Sequence, residues 1–436
     1  MSYTAIYKSK KTTADKAVGA IGNGSTLVVA MAVGAPPAIL KAIANRVKAD
    51  DLTDLTVYYK ISTKHMGESL LAADVLPKIH AKTFFITGIE RAIIQKQQHS
   101  EKLVSFVPCH FSQIPRVMRE NIRANTFVVT VSPMDTGGYF SLGTNNDFAS
   151  TAARYCDRLI IEVNPNMPRV FGQSQIHVSE VDAIVENDCP LIEFPSVEPG
   201  EIDLKVASFV APLVPDRATI QLGIGKLPGA VAKLLEHHKD LGIHSELFSP
   251  AMADLIEKGV ITGRYKTLNP YKHVYTVALG DKRMYDFMNN NASMESYSVE
   301  YVNGVGTIAQ QENIVSVNTA IQIDLYGQVN SEFIGAHEYS GSGGQFDFVK
   351  GAAAAKGGKS IIALHSTAKN GAISTIVPKV DMVTDVRMDV EYVATEQGIV
   401  NLRGKTTKER ALALISIAHP QFHDELIAKA KEVTLI

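Results

Sequence analysis

A chain of 436 residues, 45% hydrophobic and 20% charged, has the composition of a folded globular protein with room for two to four domains, or two large α/β domains. Its net charge of −2, from 43 basic and 45 acidic side chains with no basic stripe, argues against nucleic acid as a partner, so an anionic ligand needs a local site. Cys109, Cys156 and Cys189, with no CxxC, argue against a disulfide framework or cysteine zinc cluster and point to a reducing, cytoplasmic setting; no apolar run of roughly 18 residues offers a membrane span, and MSYTAIYKSKKTTADKAV lacks an apolar signal core.

The first patterned segment, TLVVAMAVGAPPAILKAIA (26–44), runs from an apolar strand through a Gly and Pro turn into helical periodicity. TFFITGI (83–89), TFVVTVS (126–132) and RLIIEVN (158–164) are short, unalternating apolar runs, which predict strands buried on both faces. FPSVEPGEID (194–203), with Pro195, Pro199 and Gly200, is the linker candidate. TIQLGIGKLPGAVAKLLEH (219–237) then repeats the opening pattern, with Gly225 answering Gly34 and Pro228 answering Pro37 at an offset of 191. A second echo joins VVTVSPMDTGGYFSLG (128–143) to VNTAIQIDLYGQVNSEFIG (317–335), with Asp324 answering Asp135 and Gly327 answering Gly138 at an offset of 189. SIIALHS (360–366) predicts a further buried strand; PGAVAKLLEHHKDL and the terminal KERALALISIAHPQFHDELIAKAKEV predict helices. Strand alternating with helix, and echoing once, predicts an α/β fold of two related, open, mostly parallel-sheet domains with helices on both faces, divided as 1–198 and 199–436.

The densest glycine cluster is LGIGKLPGAV (222–231), where Gly223, Gly225 and Gly229 lie between strand and helix. Such a loop brings backbone close to a ligand and offers the free N–H groups of a helix start to an anion or oxyanion; an ordinary strand-to-helix turn has the same look. Pro228 suits the first helical turn. The spacing GxGxxxG is one residue longer than a dinucleotide fingerprint, and Glu246 follows Gly225 by 21 residues, so an NAD-dependent oxidoreductase stays open as an alternative. AAKGGKS (354–360) is not a P-loop, because Ala353 stands where a glycine is needed and a strand follows. YSGSGGQFDF (339–348) offers Gly341, Gly343 and Gly344 as a backbone nest or a plain loop. His237 and His238 are adjacent, and His419 and His423 flank Pro420 without a HExxH setting, so no metal is expected; no GxSxG elbow occurs. Two carboxylates sit in suggestive places: Glu246 among the apolar residues of LGIHSELFSP, and Glu396 at the end of the apolar strand in YVATEQGIVNLRG.

Taken in order, VSPMDTGGYFSLG, IEVNPNMPRVFGQSQIHVSEVD, QLGIGKLPGAVAKLL, LGIHSELFSPAMADLIEKGVITG, VNTAIQIDLYGQVNSE, YSGSGGQFDF and VATEQGIVNLRG resemble the class I coenzyme A transferases, in their acetyl-CoA hydrolase/transferase branch, which includes 4-hydroxybutyrate and butyryl-CoA transferases. The resemblance implies that Glu246 is a nucleophile that passes through an acyl-glutamyl anhydride and a glutamyl-CoA thioester. It implies that the Gly223–Leu227 loop, with the N–H near Leu227, forms an oxyanion hole, although Lys226 stands where many relatives carry Asn. Gly343 and Gly344 match a glycine loop near the CoA thioester, Glu396 a carboxylate that places the acid substrate, and Asn303 of EYVNGVG an active-site asparagine. SEL departs from the SENG pattern of the two-subunit relatives. Coenzyme A and acyl-CoA then enter as substrates, with no permanently bound cofactor, and a homodimer is implied. An acyl-CoA hydrolase and a non-catalytic acyl-CoA-binding protein are the alternatives within this frame.

Overall fold

β-Branched runs punctuated by glycine and proline become the buried strands of two parallel sheets in the computed structural model, which describes residues 2–96, 102–223 and 225–436. By backbone packing the chain separates into one unit of Met1–Phe194 with Tyr275–Tyr301 and another of Pro195–Val274 with Val302–Ile436.

In the first unit, β1 (Thr26–Val29), β2 (Leu55–Tyr59), β3 (Ile79–Thr83), β4 (Val104–Phe106), β5 (Thr126–Val131), β6 (Arg158–Val163) and β7 (Ala183–Glu186) form a seven-stranded sheet in the order β7-β6-β5-β1-β2-β3-β4. All its pairings are parallel. Every residue of β5 is buried, as a strand covered on both faces requires. Helix α1 (Pro37–Lys48) starts at a proline, whose missing N–H has no helical partner to lose, and buries Ile39, Leu40, Ile43 and Val47 in the core with Leu27, Val29 and Val57.

The TFFITGI strand is a correction. Only Thr83 is in a strand, and helix α2 (Gly88–Lys96) begins within the run. Thr87 decides it: its hydroxyl accepts the Ile89 N–H at 3.2 Å, while Glu90 Oε2 accepts the Thr87 N–H at 2.8 Å. That reciprocal cap starts a helix despite the apolar composition.

In the second unit, β8 (Thr219–Leu222), β9 (Gly242–Phe248), β10 (Ile314–Thr319), β11 (Lys359–Ala363), β12 (Tyr392–Thr395) and β13 (Gly398–Asn401) run in the order β13-β12-β11-β10-β8-β9. All pair in parallel except β13, which turns back on β12. Read from β1 and from β8, both units place the next strand in sequence on one side (β2, β9) and, on the other, a strand (β5, β10) with two further parallel strands beyond it, while the first unit adds β3 and β4 beyond β2. Helix α3 (Lys226–Leu234) follows β8 as α1 follows β1, and α4 (Gln345–Ala354) follows the second glycine loop. The apolar C-terminal run is two helices, α5 (Thr407–Ser416) and α6 (His423–Glu432), because Pro420 interrupts it; Leu414 and Leu426 still reach one core with Ile362 and Val393.

The aspartate echo has a physical basis. Asp135 and Asp324 build the same turn: the Asp N–H donates to the carbonyl four residues on, the glycine three residues on donates to the Asp carbonyl, and the Asp Oδ1 accepts the N–H four residues on. Gly138 and Gly327 close these turns at φ 84° and 90°, where a side chain is strained. Two identical devices at matching strand ends are the mark of related halves. Among the described residues no helix is long and apolar enough to cross a membrane.

Asp324 is fully buried and Asp135 half-buried. Asp324→Ala therefore strands the Tyr326 and Gln328 N–H groups that its Oδ1 holds at 3.0 and 2.9 Å, and is expected to cost about 1–3 kcal/mol, with Asp135→Ala costing less. Urea unfolding of the full chain checks this; an unchanged midpoint for Asp324→Ala contradicts it.

Candidate active site

Strand β9 brings Glu246 to the site by alternation. Successive side chains point to opposite faces, so Gly242, His244, Glu246 and Phe248 share one face while Ile243, Ser245 and Leu247 take the other. The apolar residues flanking Glu246 in sequence thus divide: Ile243 and Leu247 bury themselves behind the strand, and only Phe248 remains on the carboxylate's side. Glu246 is half-buried, near the carboxyl end of its strand. Thr219 pairs with Gly242 and Ile220 with Ile243; continuing that parallel register sets Glu246 level with Gly223 at the start of the glycine loop.

Three predicted residues come together here. Asn303, fully buried in the bend before helix Val305–Ala309, donates from Nδ2 to Glu246 Oε2 at 2.7 Å. Gly344 closes on the same pair. A methyl group on its Cα would overlap both Glu246 Oε2 and Asn303 Nδ2, so the backbone lies where only glycine permits it. The Asn303 Oδ1 is buried with no hydrogen-bond partner among the described residues. Gly343 precedes at φ 52° and lets the chain turn into α4, whose first residue is Gln345.

The first glycine loop approaches along the neighbouring strand. Gly223 extends the β8 ladder by donating to Val317 O at 3.1 Å; Ile224 lies outside the described residues. Gly225 sits at φ 120°, ψ −175°, a conformation reserved for glycine, and caps α3. Lys226 is exposed and Leu227 buried in the first turn of that helix, where backbone N–H groups lack intrahelical acceptors. Strand β8, helix α3 and strand β9 thus form a βαβ unit with an acid near the end of the second strand, which is the physical reason this segment reads so nearly as a dinucleotide fingerprint.

Glu396 is placed differently. With Gln397 it forms the two-residue turn between β12 and β13. Its carboxylate accepts the Ser366 hydroxyl and, at 2.9 Å, the Ser366 N–H, and Gln397 Nε2 reaches it at 3.5 Å. Burial pushes this carboxyl up, but the Ser366 bonds outweigh it and hold it below the ordinary carboxylate range. Its hydrogen bonds go to Ser366 and Gln397 rather than to Glu246, Asn303 or Gly344.

Sequence reading missed the support under this site. His244 is fully buried on the face that Glu246 occupies, and Gln221, Ser316 and Asn318 form a buried polar network on β8 and β10, with Ser316 Oγ donating to Gln221 Oε1 at 2.6 Å. The spacing of His244 two residues before Glu246 was the available signal. No group of three or more His, Cys, Asp or Glu side chains that could hold a metal ion occurs among the described residues.

Residues 1–194 match the acetyl-CoA hydrolase/transferase N-terminal domain, and residues 280–430 match the C-terminal domain of the same name. A Clostridium kluyveri protein named 4-hydroxybutyrate coenzyme A transferase is 40% identical over 99% of this chain and 100% of its own. The chain belongs to the acetyl-CoA hydrolase/transferase family. An Anaerostipes caccae protein named butyryl-CoA:acetate CoA-transferase is 34% identical over 100% of this chain and 99% of its own. The crystal structure of RipA from Yersinia pestis superposes with a TM-score of 0.97 at 46% identity, covering 100% of both chains.

Gly344→Ala is expected to break the Asn303–Glu246 bond by crowding. Turnover of an acyl-CoA should fall at least roughly 100-fold with little change in melting temperature, since a misplaced reacting group costs about that much. A variant with parental turnover contradicts the geometry.

Proposed function

We propose that this enzyme transfers CoA between a short acyl-CoA, acetyl-CoA or butyryl-CoA, and a short carboxylic acid such as 4-hydroxybutyrate or acetate, with Glu246 as nucleophile. The observation that carries the reading is the half-buried Glu246 carboxylate, held through Oε2 by Asn303 with the Gly344 backbone against it. The named relatives support the choice of substrates.

The geometry suggests a division of labour between the two carboxylate oxygens. Asn303 occupies Oε2, which leaves Oε1 to attack the thioester carbonyl. The C–S bond breaks, CoA leaves as thiolate, and Oε1 becomes the bridging oxygen of an acyl-glutamyl anhydride. Oε2 is then a carbonyl oxygen, still facing the Asn303 N–H, which polarises it. Thiolate attack at that carbon expels the free acid and leaves a glutamyl-CoA thioester, and the oxyanion formed on the way develops on Oε2. An acceptor carboxylate runs the steps in reverse. A donor already aimed where charge develops stabilises the transition state without reorganisation. The α3 amino end, with the Leu227 N–H, suits the oxyanion of the acyl carbonyl, and exposed Lys226 suits a CoA phosphate. Glu396, kept ionised by Ser366, serves as a positioning group and not as a proton donor. Coenzyme A is substrate and no resident cofactor is invoked.

The same reading takes residues 1–198 and 199–436 as the two transferase domains, a homodimer as the assembly, and the cytoplasm as the compartment. None of the three cysteines is in a disulfide, which suits a reducing setting. Hydrolysis by the same intermediate needs water at the anhydride. The nicotinamide alternative shares the βαβ topology, but family membership favours thioester exchange.

Initial rates varied in both substrates test the reading. Parallel double-reciprocal lines are expected, because each substrate meets a different enzyme form. Glu246→Ala should lose at least roughly 1,000-fold in turnover. Intersecting lines, or near-normal exchange by Glu246→Ala, would overturn it, and acyl-CoA loss without an acceptor acid at the same rate would make the enzyme a hydrolase.

A further inference from the structure

Beneath Glu246, on the same face of β9, His244 makes two bonds that fix its form. Nε2 lies 2.8 Å from the Val302 carbonyl oxygen, which can only accept, so Nε2 carries the proton. Nδ1 lies 3.3 Å from Gln311 Nε2, which can only donate, so Nδ1 is the acceptor. The Gln311 amide is oriented in turn, because its Oε1 accepts the Leu268 N–H at 3.2 Å and its Nε2 faces the Leu268 carbonyl at 3.4 Å. His244 and Gln311 are both fully buried. Burial, and then the Lys266 ammonium, push the imidazole down to about 3, against the modest opposing effect of the Val302 bond, so it stays neutral at working pH.

The backbone acceptor owes its importance to its neighbour in the chain. Val302 immediately precedes Asn303, and Asn303 donates to Glu246, two residues along the strand from His244. The imidazole also packs against Phe348 of α4, with ring centres 6.4 Å apart, and α4 begins just after Gly344. His244 therefore touches both elements that confine the Glu246 carboxylate. A leucine here would fill the space but leave the Val302 carbonyl without this donor.

We infer that His244 is a positioning residue, whose Nε2–H pins the Val302 carbonyl and so sets Asn303 against the Glu246 carboxylate. This deepens the proposed reaction and rests on the reading of Glu246 as nucleophile. The chain of bonds runs from Leu268 through Gln311, His244 and Val302 to Asn303, and it acts on the step that needs Asn303 rather than on capture of CoA. Support of this kind around reacting groups typically contributes about 10–100-fold.

The test compares steady-state kinetics of His244→Gln, His244→Asn and His244→Leu, alone and combined with Asn303→Ala. The glutamine amide reaches where Nε2 stands and keeps the donor, so it should retain turnover within roughly threefold of the parent. Leucine removes the donor and asparagine falls short of Val302, and both should lose about 10–100-fold in kcat, with the KM for acyl-CoA within roughly twofold. In the Asn303→Ala background neither should cost anything further, since the losses share one route. Should the leucine variant not fold, asparagine against glutamine carries the comparison. Full kcat in the asparagine variant, equal losses for glutamine and asparagine, or losses that multiply with that of Asn303→Ala would overturn the inference. Exchange surviving in Glu246→Ala would instead mark failure of the underlying mechanism, whatever His244 does.

Discussion

The hydrogen bond from Asn303 Nδ2 to Glu246 Oε2 is the constraint to which the rest of the site answers. A carboxylate drawn partly out of water needs hydrogen-bond donors in place of its lost hydration. A buried amide supplies one donor while leaving the second oxygen uncommitted. The backbone at 344 passes against both groups, and only glycine there leaves the bond its room. The strand must present the acid at its carboxyl end, and a parallel sheet collects its reactive groups at that end. Each feature has a local cause, and all converge on one pair of atoms.

The way the chain achieves this is economical, because one plan serves twice. Both units open with strand, glycine and proline turn, and helix, and both use an aspartate that folds its own backbone into the same turn before a left-handed glycine. In the second unit that plan gains Glu246, the proposed nucleophile, on β9 and a glycine loop at the start of α4. The scaffold is common to both. Specificity for a given acid must then come from whichever residues line its pocket, a property that the shared plan leaves open.

Much of this is legible in the sequence. The buried strands at 126–131, 158–163 and 359–363 follow from short, unalternating apolar runs, and the echoes at Gly34 and Gly225 and at Asp135 and Asp324 mark the repeated architecture. TFFITGI misled because composition outweighed the polar cap of Thr87 and Glu90, a two-bond signal that apolar content hides. Glu246, Asn303 and Gly344 lie far apart in sequence, and no periodicity joins them; ordered motifs nominated them, and the fold brings them together. The role of His244 was less accessible, since a histidine in a strand is most often a satisfied core residue, and its partner is a backbone carbonyl with no sequence signature. Strand alternation also sorts the apolar neighbours of Glu246 onto two faces, which their adjacency in the sequence does not show.

The central claim is that Glu246 itself carries CoA during turnover. Incubation with acyl-CoA and no acceptor acid, followed by borohydride and peptide mass analysis, addresses it directly. Reduction of a glutamyl-CoA thioester turns the side-chain carboxyl into an alcohol, so the peptide containing Glu246 should lose the corresponding mass in proportion to lost activity. An unmodified Glu246 peptide in enzyme that still exchanges CoA would contradict the account.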